Sequence, residues 1–152
     1  TPMAMRVDAG RGMARIVELV HRVAMDRQPD AVGAVGRMEV WPNSRNVIPG
    51  RAVFTIDIRS PEQGKLDAMR AAIEAEAPAI AAELGLGIEI EAVGHFDPVT
   101  FDPGLAQSLR GICDRLGLSW RDIVSGAGHD ACWVARVAPT VMIMCPCEGG
   151  LS

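Results

Sequence analysis

The sequence predicts an α/β protein, because helical and strand patterns follow one another along its 152 residues. Segments with apolar residues three and four positions apart indicate amphipathic helices. Shorter segments that alternate apolar and polar residues indicate strands. In residues 1–96 these patterns occur in the order helix, strand, strand, helix, strand. That order predicts a split βαβ (ferredoxin-like) layout that lacks its first strand.

The first helix is predicted over Asp8–Arg27, where six apolar residues share one face: Met13, Ile16, Val17, Val20, Val23 and Ala24. Two strands follow, over Ala31–Val40 and, more clearly, Arg51–Arg59. In the second strand, one face collects four apolar residues: Ala52, Phe54, Ile56 and Ile58. Since successive side chains alternate across a strand, Arg59 is expected to point away from the core.

A second helix is predicted from about Pro61 to Leu84, because proline suits a first turn and Gly85 suits a helix end. Its expected buried residues are Leu66, Met69, Ile73, Ala77, Ile80 and Leu84. Pro78 is expected to kink it, since proline lacks the backbone donor. Gly87–Val93 alternates again and predicts the third strand.

A domain boundary is predicted near Asp97, and residues 97–152 are predicted to form an αβαβ piece. Asp102 can cap a helix whose first turn holds Pro103. The predicted elements are that helix, ending near Gly117, a short strand around Ile123, a helix from Asp130 to about Val137, and a buried strand over Thr140–Cys145.

Composition narrows the classes of partner. A net charge of −4, with 15 basic residues spread along the chain, provides no basic stripe for nucleic acid. No run approaches the roughly 18 apolar residues that span a bilayer, so no membrane partner is expected.

The four cysteines favour reduced, buried thiols in a cytoplasmic protein over a disulfide framework, because their spacing is irregular and their surroundings are apolar. Cys145 and Cys147 lack nearby partners with zinc-site spacing, so we predict no metal hook there. Thr1 and Ser152 do not resemble natural termini, and a longer parent protein is expected.

Two segments offer donors for an anionic ligand. PNSRNVIPG contains Asn46, and TIDIR ends with Arg59 thirteen residues later. A guanidinium offers two parallel hydrogen bonds to a carboxylate, whereas lysine offers only a point charge. The alternatives are structural: Asn46 forms a turn, and Arg59 forms a salt bridge with Asp57 or with a glutamate on a helix.

A third segment, SGAGHDA, places His129 and Asp130 after a glycine-rich turn, where a helix is predicted to begin. Gly126 and Gly128 allow backbone N–H groups to approach a ligand, and a helix N-terminus favours an anion. The alternative is an ordinary connection in which Asp130 caps the helix.

These three segments resemble the N-carbamoyl-L-amino-acid hydrolase and allantoate amidohydrolase branch of the zinc-dependent aminoacylase and carboxypeptidase superfamily. The resemblance implies that residues 1–96 belong to a lid and dimerisation domain of βαββαβ order, and residues 97–152 to the catalytic domain. The opening TPM and RVDAG are similar to the stretch that ends the first lid strand. That strand and its histidine are then expected upstream of Thr1.

The resemblance also implies roles for individual residues. Arg59 would pair with the substrate carboxylate and Asn46 would assist it, while Gly128 would lie near that carboxylate and His129 would contact the substrate. Gly149–Ser152 is similar to a motif whose next residue is a zinc-binding histidine. The sequence departs from the family at Cys147, where a serine is usual.

The expected parent enzyme hydrolyses a C–N bond in N-carbamoyl-L-amino acids or allantoate-like ureido acids, which are small anionic amides. It would use a divalent metal, zinc or manganese, and form a homodimer through the lid. No metal ligand set and no general base is expected in these 152 residues, so the chain alone is predicted to be inactive. Two alternatives remain open: part of a related aminoacylase or dipeptidase, and a non-catalytic dimerisation module.

Overall fold

Four α-helices and two β-strands are formed by the residues that the computed structural model describes, 1–147 and 149. The chain divides into two compact units, residues 1–98 and a second unit that begins at Val99. The first unit contains a 3₁₀ turn at Met3–Met5, α1 (Ala9–Met25), β1 (Val32–Trp41), β2 (Arg51–Arg59) and α2 (Gln63–Glu83). The second contains α3 (Pro103–Leu116) and α4 (Ala131–Val134).

Helix α1 begins where the sequence predicts it. The Asp8 carboxylate accepts hydrogen bonds from the backbone N–H groups of Gly10 at 2.9 Å and Arg11 at 3.2 Å. These bonds satisfy donors that have no partner inside the helix. The buried face of α1 is formed by Gly12, Ile16, Leu19, Val20, Val23 and Ala24.

Strands β1 and β2 form an antiparallel hairpin with Val32 opposite Arg59 and Trp41 opposite Arg51. The register shifts between Val35 and Met38, as it does at a β-bulge. The predicted alternation of β2 is confirmed. Its apolar residues Phe54, Ile56 and Ile58 pack against the core, whereas Thr55, Asp57 and Arg59 are exposed.

Helix α2 packs, as α1 does, against the apolar side of the hairpin. It continues through Pro78 without interruption. Five of its residues are buried: Leu66, Met69, Ile73, Ala77 and Ala81. Gly85 follows the helix with φ of 69°, a left-handed conformation that glycine adopts at low cost.

The core lies between α1, α2 and the hairpin. Met69 has no exposed surface, and Val20 and Val23 are each 1% exposed. Gly33 on β1 lies close against α1, because a Cβ atom there would meet Val20 Cγ1 at 3.0 Å and Ala24 Cβ at 3.3 Å. The strand can therefore approach the helix only because this position has no side chain.

The α/β class is confirmed, but three predicted strands are not formed. Residues 87–93, the segment around Ile123 and residues 140–145 have no strand assignment. Extended backbone becomes a strand only where a neighbouring segment supplies ladder hydrogen bonds, and β1 and β2 are the only strands that pair among the described residues.

Helix α3 matches its predicted ends: Asp102 accepts from the N–H of Leu105 at 2.7 Å, and Gly117 has φ of 68°. Helix α4 is shorter than predicted, with four residues in place of the expected Asp130–Val137.

The second unit differs from the first in burial, because none of its described residues is buried. Large apolar side chains are exposed there, including Leu116, Val137 and Ile143. The prediction of buried thiols is correspondingly wrong for Cys145 and Cys147, which are exposed. Cys145 was expected to end a buried strand over Thr140–Cys145, and no strand is assigned to those residues. Throughout the described ranges, no helix has the length and apolar character to cross a bilayer.

Candidate functional site

The solvent-facing side of the hairpin carries arginine and acidic residues on adjacent strands. We call this side the outer face. It includes Arg37 and Glu39 on β1, and Thr55, Asp57 and Arg59 on β2. Residues two apart on a strand share a face, so the spacing of Asp57 and Arg59 brings both side chains to this surface. The sheet's other face is occupied by the core.

Arg59 and Asp57 form a two-point contact. Arg59 Nε donates to Asp57 Oδ1 at 2.9 Å, and Arg59 Nη2 donates to Asp57 Oδ2 at 2.5 Å. The arginine side chain is 49% exposed and that of Asp57 is 51% exposed. The salt bridge that was the structural alternative for Arg59 is therefore present, on the surface where a ligand has access.

The pair also shifts the titration of both groups. The hydrogen bond with Arg59 holds the pKa of Asp57 below its ordinary value, and Asp57 raises the pKa of Arg59. Because the folded pKa of Asp57 is lowered, the pair contributes stability above the ordinary carboxyl pKa of about 3.9. That contribution is lost as pH falls through the lowered value. Both groups are charged near neutral pH.

A second arginine–carboxylate pair lies on the neighbouring strand. Arg37 Nε donates to Glu39 Oε1 at 2.6 Å, and the Arg37 backbone N–H donates to Thr55 Oγ1 at 3.2 Å. The bulge in β1 lies here, which is why a side chain replaces a ladder partner. The salt bridge of Arg59 with Asp57 was one of the alternatives that the sequence offered, whereas the pair of Arg37 and Glu39 was not predicted. The Arg-x-Glu spacing on a strand was a signal that could have found it.

Asn46 lies in the loop between the strands, in a turn closed by a hydrogen bond from the Val47 N–H to the Ser44 carbonyl at 3.4 Å. Its carboxamide oxygen accepts from Ser44 Oγ at 3.0 Å. Asn46 therefore forms a turn, which was the structural alternative for this residue. The Asn46 side chain is exposed, and its amide nitrogen takes no part in the Ser44 contact.

The structure does not bring Asn46 and Arg59 together within one hairpin. Asn46 precedes Arg51, the first residue of β2, whereas Arg59 is the last. A strand rises by about 3.3 Å per residue, so Arg59 lies roughly 26 Å from the loop end of β2. Arg59 and Asn46 therefore lie at opposite ends of the hairpin.

In the second unit, His129 is held by a local hydrogen bond. The backbone N–H of Ala131 donates to His129 Nδ1 at 3.0 Å. A backbone N–H can only donate, so Nδ1 acts as the acceptor, and the neutral imidazole carries its proton on Nε2. The exposed ring therefore presents an N–H donor at Nε2.

The glycines before His129 are not required by the local backbone. Neither Gly126 nor Gly128 has a positive φ, and a Cβ atom at either would meet no atom of the described residues within 4 Å. Asp130 makes no side-chain capping bond, which removes the structural alternative proposed for it. Because α4 has only four residues, the anion-binding helix terminus expected here is not formed.

A metal does not fit the residues at hand. Within residues 1–147 and 149, no three His, Cys, Asp or Glu side chains are grouped so that they could hold a metal ion. The motif-like stretch Gly149–Ser152 lies outside the described residues except for Gly149. The described residues therefore form no metal ligand set.

Comparison with known proteins gives consistent results. Residues 7–152 match the family described as Peptidase family M20/M25/M40. The chain is 68% identical over 152 residues to an N-carbamoyl-L-amino-acid amidohydrolase of Rhizobium meliloti, with 100% of this chain and 36% of the relative covered. It is 35% identical to the allantoate amidohydrolase of Escherichia coli (strain K12), with 100% and 37% covered.

Solved structures agree with the sequence relatives. An amidase of the hydantoinase/carbamoylase family from Burkholderia multivorans superposes with a TM-score of 0.90 at 49% identity. That match covers 92% of this chain and 34% of the other. The chain therefore spans about a third of the length of the proteins it matches.

Proposed function

Because the chain belongs to the peptidase family M20/M25/M40, we propose that it is part of a hydrolase that cleaves a C–N bond in N-carbamoyl-L-amino acids or allantoate-like ureido acids. The observation that carries this proposal is the 68% identity, along the whole chain, to an N-carbamoyl-L-amino-acid amidohydrolase. The first unit would be the lid and dimerisation domain, and the second would belong to the catalytic domain.

Arg59 is the proposed group for the substrate carboxylate. N-carbamoyl amino acids and allantoate both contain a carboxylate, which a guanidinium binds with two parallel charge-assisted hydrogen bonds. The exposure of Arg59 on the outer face supports this role, since substrate can reach it. In the second unit, taken by itself, Gly128 and His129 are the proposed substrate contacts. A Cβ atom at Gly128 would meet no atom of the described residues within 4 Å, which leaves room for a ligand.

His129 would act as a hydrogen-bond donor to a substrate oxygen. This follows from the bond between Ala131 N–H and Nδ1, which leaves the proton of the neutral ring on Nε2. In that tautomer the Nε2 atom cannot accept a proton or coordinate a metal. The ring would therefore orient or polarise the substrate.

A homodimer would allow Asn46 to contribute as well. The roughly 26 Å of β2 between the loop end and Arg59 is too long for one small substrate to bridge. If Asn46 also contacts substrate, it would therefore act in the site of a second copy. Light scattering on the full-length enzyme checks the dimer, and a strictly monomeric active enzyme would remove this role for Asn46.

The divalent metal, zinc or manganese, would be held by residues elsewhere in the longer enzyme. Enzymes of this family are generally metal-dependent. When bound, such a metal lowers the pKa of a water molecule so that it becomes a nucleophile near neutral pH. Closure of a lid that bears Arg59 would bind the carboxylate and exclude bulk water from the site.

Two further observations fit a larger cytoplasmic enzyme. The exposed apolar side chains of the second unit are typical of a surface that packs against other protein. All four cysteines are free thiols, as expected in a reducing compartment.

Replacing His129 tests its proposed donor role. His129→Asn keeps a side-chain acceptor for the Ala131 N–H but removes the donor at Nε2, so kcat/KM should fall about two- to tenfold. His129→Gln places an amide N–H near the Nε2 position and should recover most of that loss. Steady-state kinetics on the full-length enzyme measures both variants. Equal losses in the two would argue against the donor role.

The substrate class is tested by assaying the purified full-length enzyme, loaded with zinc or manganese, against three kinds of compound. N-carbamoyl-L-amino acids and allantoate should be hydrolysed far faster than N-acetyl amino acids. A preference for N-acetyl amino acids would instead favour a related aminoacylase or dipeptidase. No turnover of any compound by the folded, metal-loaded protein would favour a non-catalytic dimerisation module.

A further inference from the structure

We propose that Asp57 is a positioning residue that holds the Arg59 guanidinium ready for a substrate carboxylate. This inference rests on the proposed function, in which Arg59 binds that carboxylate. Asp57 contacts Arg59 at two atoms, Nε and Nη2, and both contacts have hydrogen-bond distances. A two-point contact fixes the plane of the guanidinium as well as its distance, which a single bond would not do.

The backbone beneath the pair is fixed by the hairpin. Ala34 lies opposite Asp57, and Val32 lies opposite Arg59, in the antiparallel ladder with β1. The two side chains therefore rise from a rigid surface, at the strand spacing that makes them neighbours. A group that must be held in one orientation is better placed on a strand than on a mobile loop.

The contact with Asp57 also sets the direction of the other donors of Arg59. Asp57 holds Nε and Nη2, and a guanidinium is a rigid planar group with donors around its rim. A substrate carboxylate would therefore meet a guanidinium whose plane Asp57 has already fixed.

The Asp57 carboxylate also has an opposing effect, because its negative charge weakens the attraction of Arg59 for an anionic substrate. Both side chains are about half exposed, and at exposed positions water and salt screen this charge effect. The loss of rotamer freedom of a long arginine is not screened. When Asp57 has already ordered the side chain, that loss is not added to the cost of binding substrate. The gain in substrate binding from ordering Arg59 should therefore be larger than the loss from the negative charge of Asp57.

The test is Asp57→Ala in the metal-loaded full-length enzyme, with an N-carbamoyl-L-amino acid as substrate. KM should rise about two- to tenfold, the range expected when one ordered side chain must be immobilised on binding, with a smaller change in kcat. In an Arg59→Ala background the same substitution should have no further effect, since its action passes through Arg59. A purely structural role would lower activity in both backgrounds.

Glu39→Ala is the matched control. It removes the carboxylate of the neighbouring arginine pair, on the same face of the same hairpin, and should leave KM unchanged. Asp57→Asn keeps an acceptor oxygen without the charge and should raise KM less than Asp57→Ala. This variant also tests the proposal if Asp57→Ala fails to fold.

Several results would overturn the inference. One is an unchanged KM in Asp57→Ala, and another is an equal rise of KM in Glu39→Ala. A third is a further rise of KM when Asp57→Ala is added to Arg59→Ala. The last is a lower KM in Asp57→Asn, which would mean that the negative charge of Asp57 weakens substrate binding more than its positioning helps. If the wild-type enzyme is active and one of these is observed, the inference alone falls. A wild-type enzyme that hydrolyses no ureido acid overturns the proposed function, and this inference with it.

Discussion

Substitution of Arg59 by lysine should lower kcat/KM of the full-length enzyme for N-carbamoyl-L-amino acids by about ten- to a hundredfold. Lysine keeps the positive charge but loses one of two parallel hydrogen bonds to the substrate carboxylate, and hydrogen bonds to charged groups contribute about 1.5–3 kcal/mol. Stability should change little, since Arg59 is half exposed and its ion pair with Asp57 lies at the surface.

The control for this prediction is Arg37→Lys, which alters the other arginine–carboxylate pair of the outer face and should leave kcat/KM unchanged. Steady-state kinetics and thermal unfolding are measured on the same preparations. The opposite outcome, a lowered melting temperature with normal kinetics for Arg59→Lys, would mean that Arg59 serves the fold and not the substrate.

Met69→Ala should destabilise the first unit by about 2–5 kcal/mol, the range for removing a large buried side chain and leaving a cavity. Met69 has no exposed surface and belongs to the core cluster that joins α1, α2 and the hairpin. Neighbouring side chains can fill the space only in part, because both helices are held against the sheet. The free energy of unfolding from urea titration of the 152-residue chain measures the loss.

Met25→Ala is the matched substitution at the end of α1, where the side chain is 56% exposed. It should change stability by less than about 0.5 kcal/mol, as most surface substitutions do. Similar losses for Met69→Ala and Met25→Ala would show that the core does not lie where the structure has it.

Local features of the fold could be predicted from the sequence. The start of α1 at Asp8, the cap at Asp102 and the alternation of β2 all depend on residues within a few positions of one another. For that reason the ends of α1 and α3 and the exposed position of Arg59 agree with their predictions.

Features that depend on distant parts of the chain could not be predicted. Residues 87–93 alternate as a strand does, yet alternation identifies a face and not a pairing partner. The thirteen-residue separation of Asn46 and Arg59 in the sequence does not give their distance in space. That distance depends on the hairpin, in which the extended strand β2 lies between them. The salt bridge of Arg59 with Asp57 was one of two structural alternatives that the sequence offered, and choosing between them needed side-chain positions.

The central claim, that Arg59 recognises the carboxylate of a ureido acid, is tested most directly by comparing two substrates. One is an N-carbamoyl-L-amino acid, and the other is the same compound with its carboxylate converted to a neutral amide. Wild-type full-length enzyme should favour the acid, and Arg59→Ala should lose most of that preference, because only the acid depends on the guanidinium. A preference for the acid that is equal in wild type and Arg59→Ala would contradict the account.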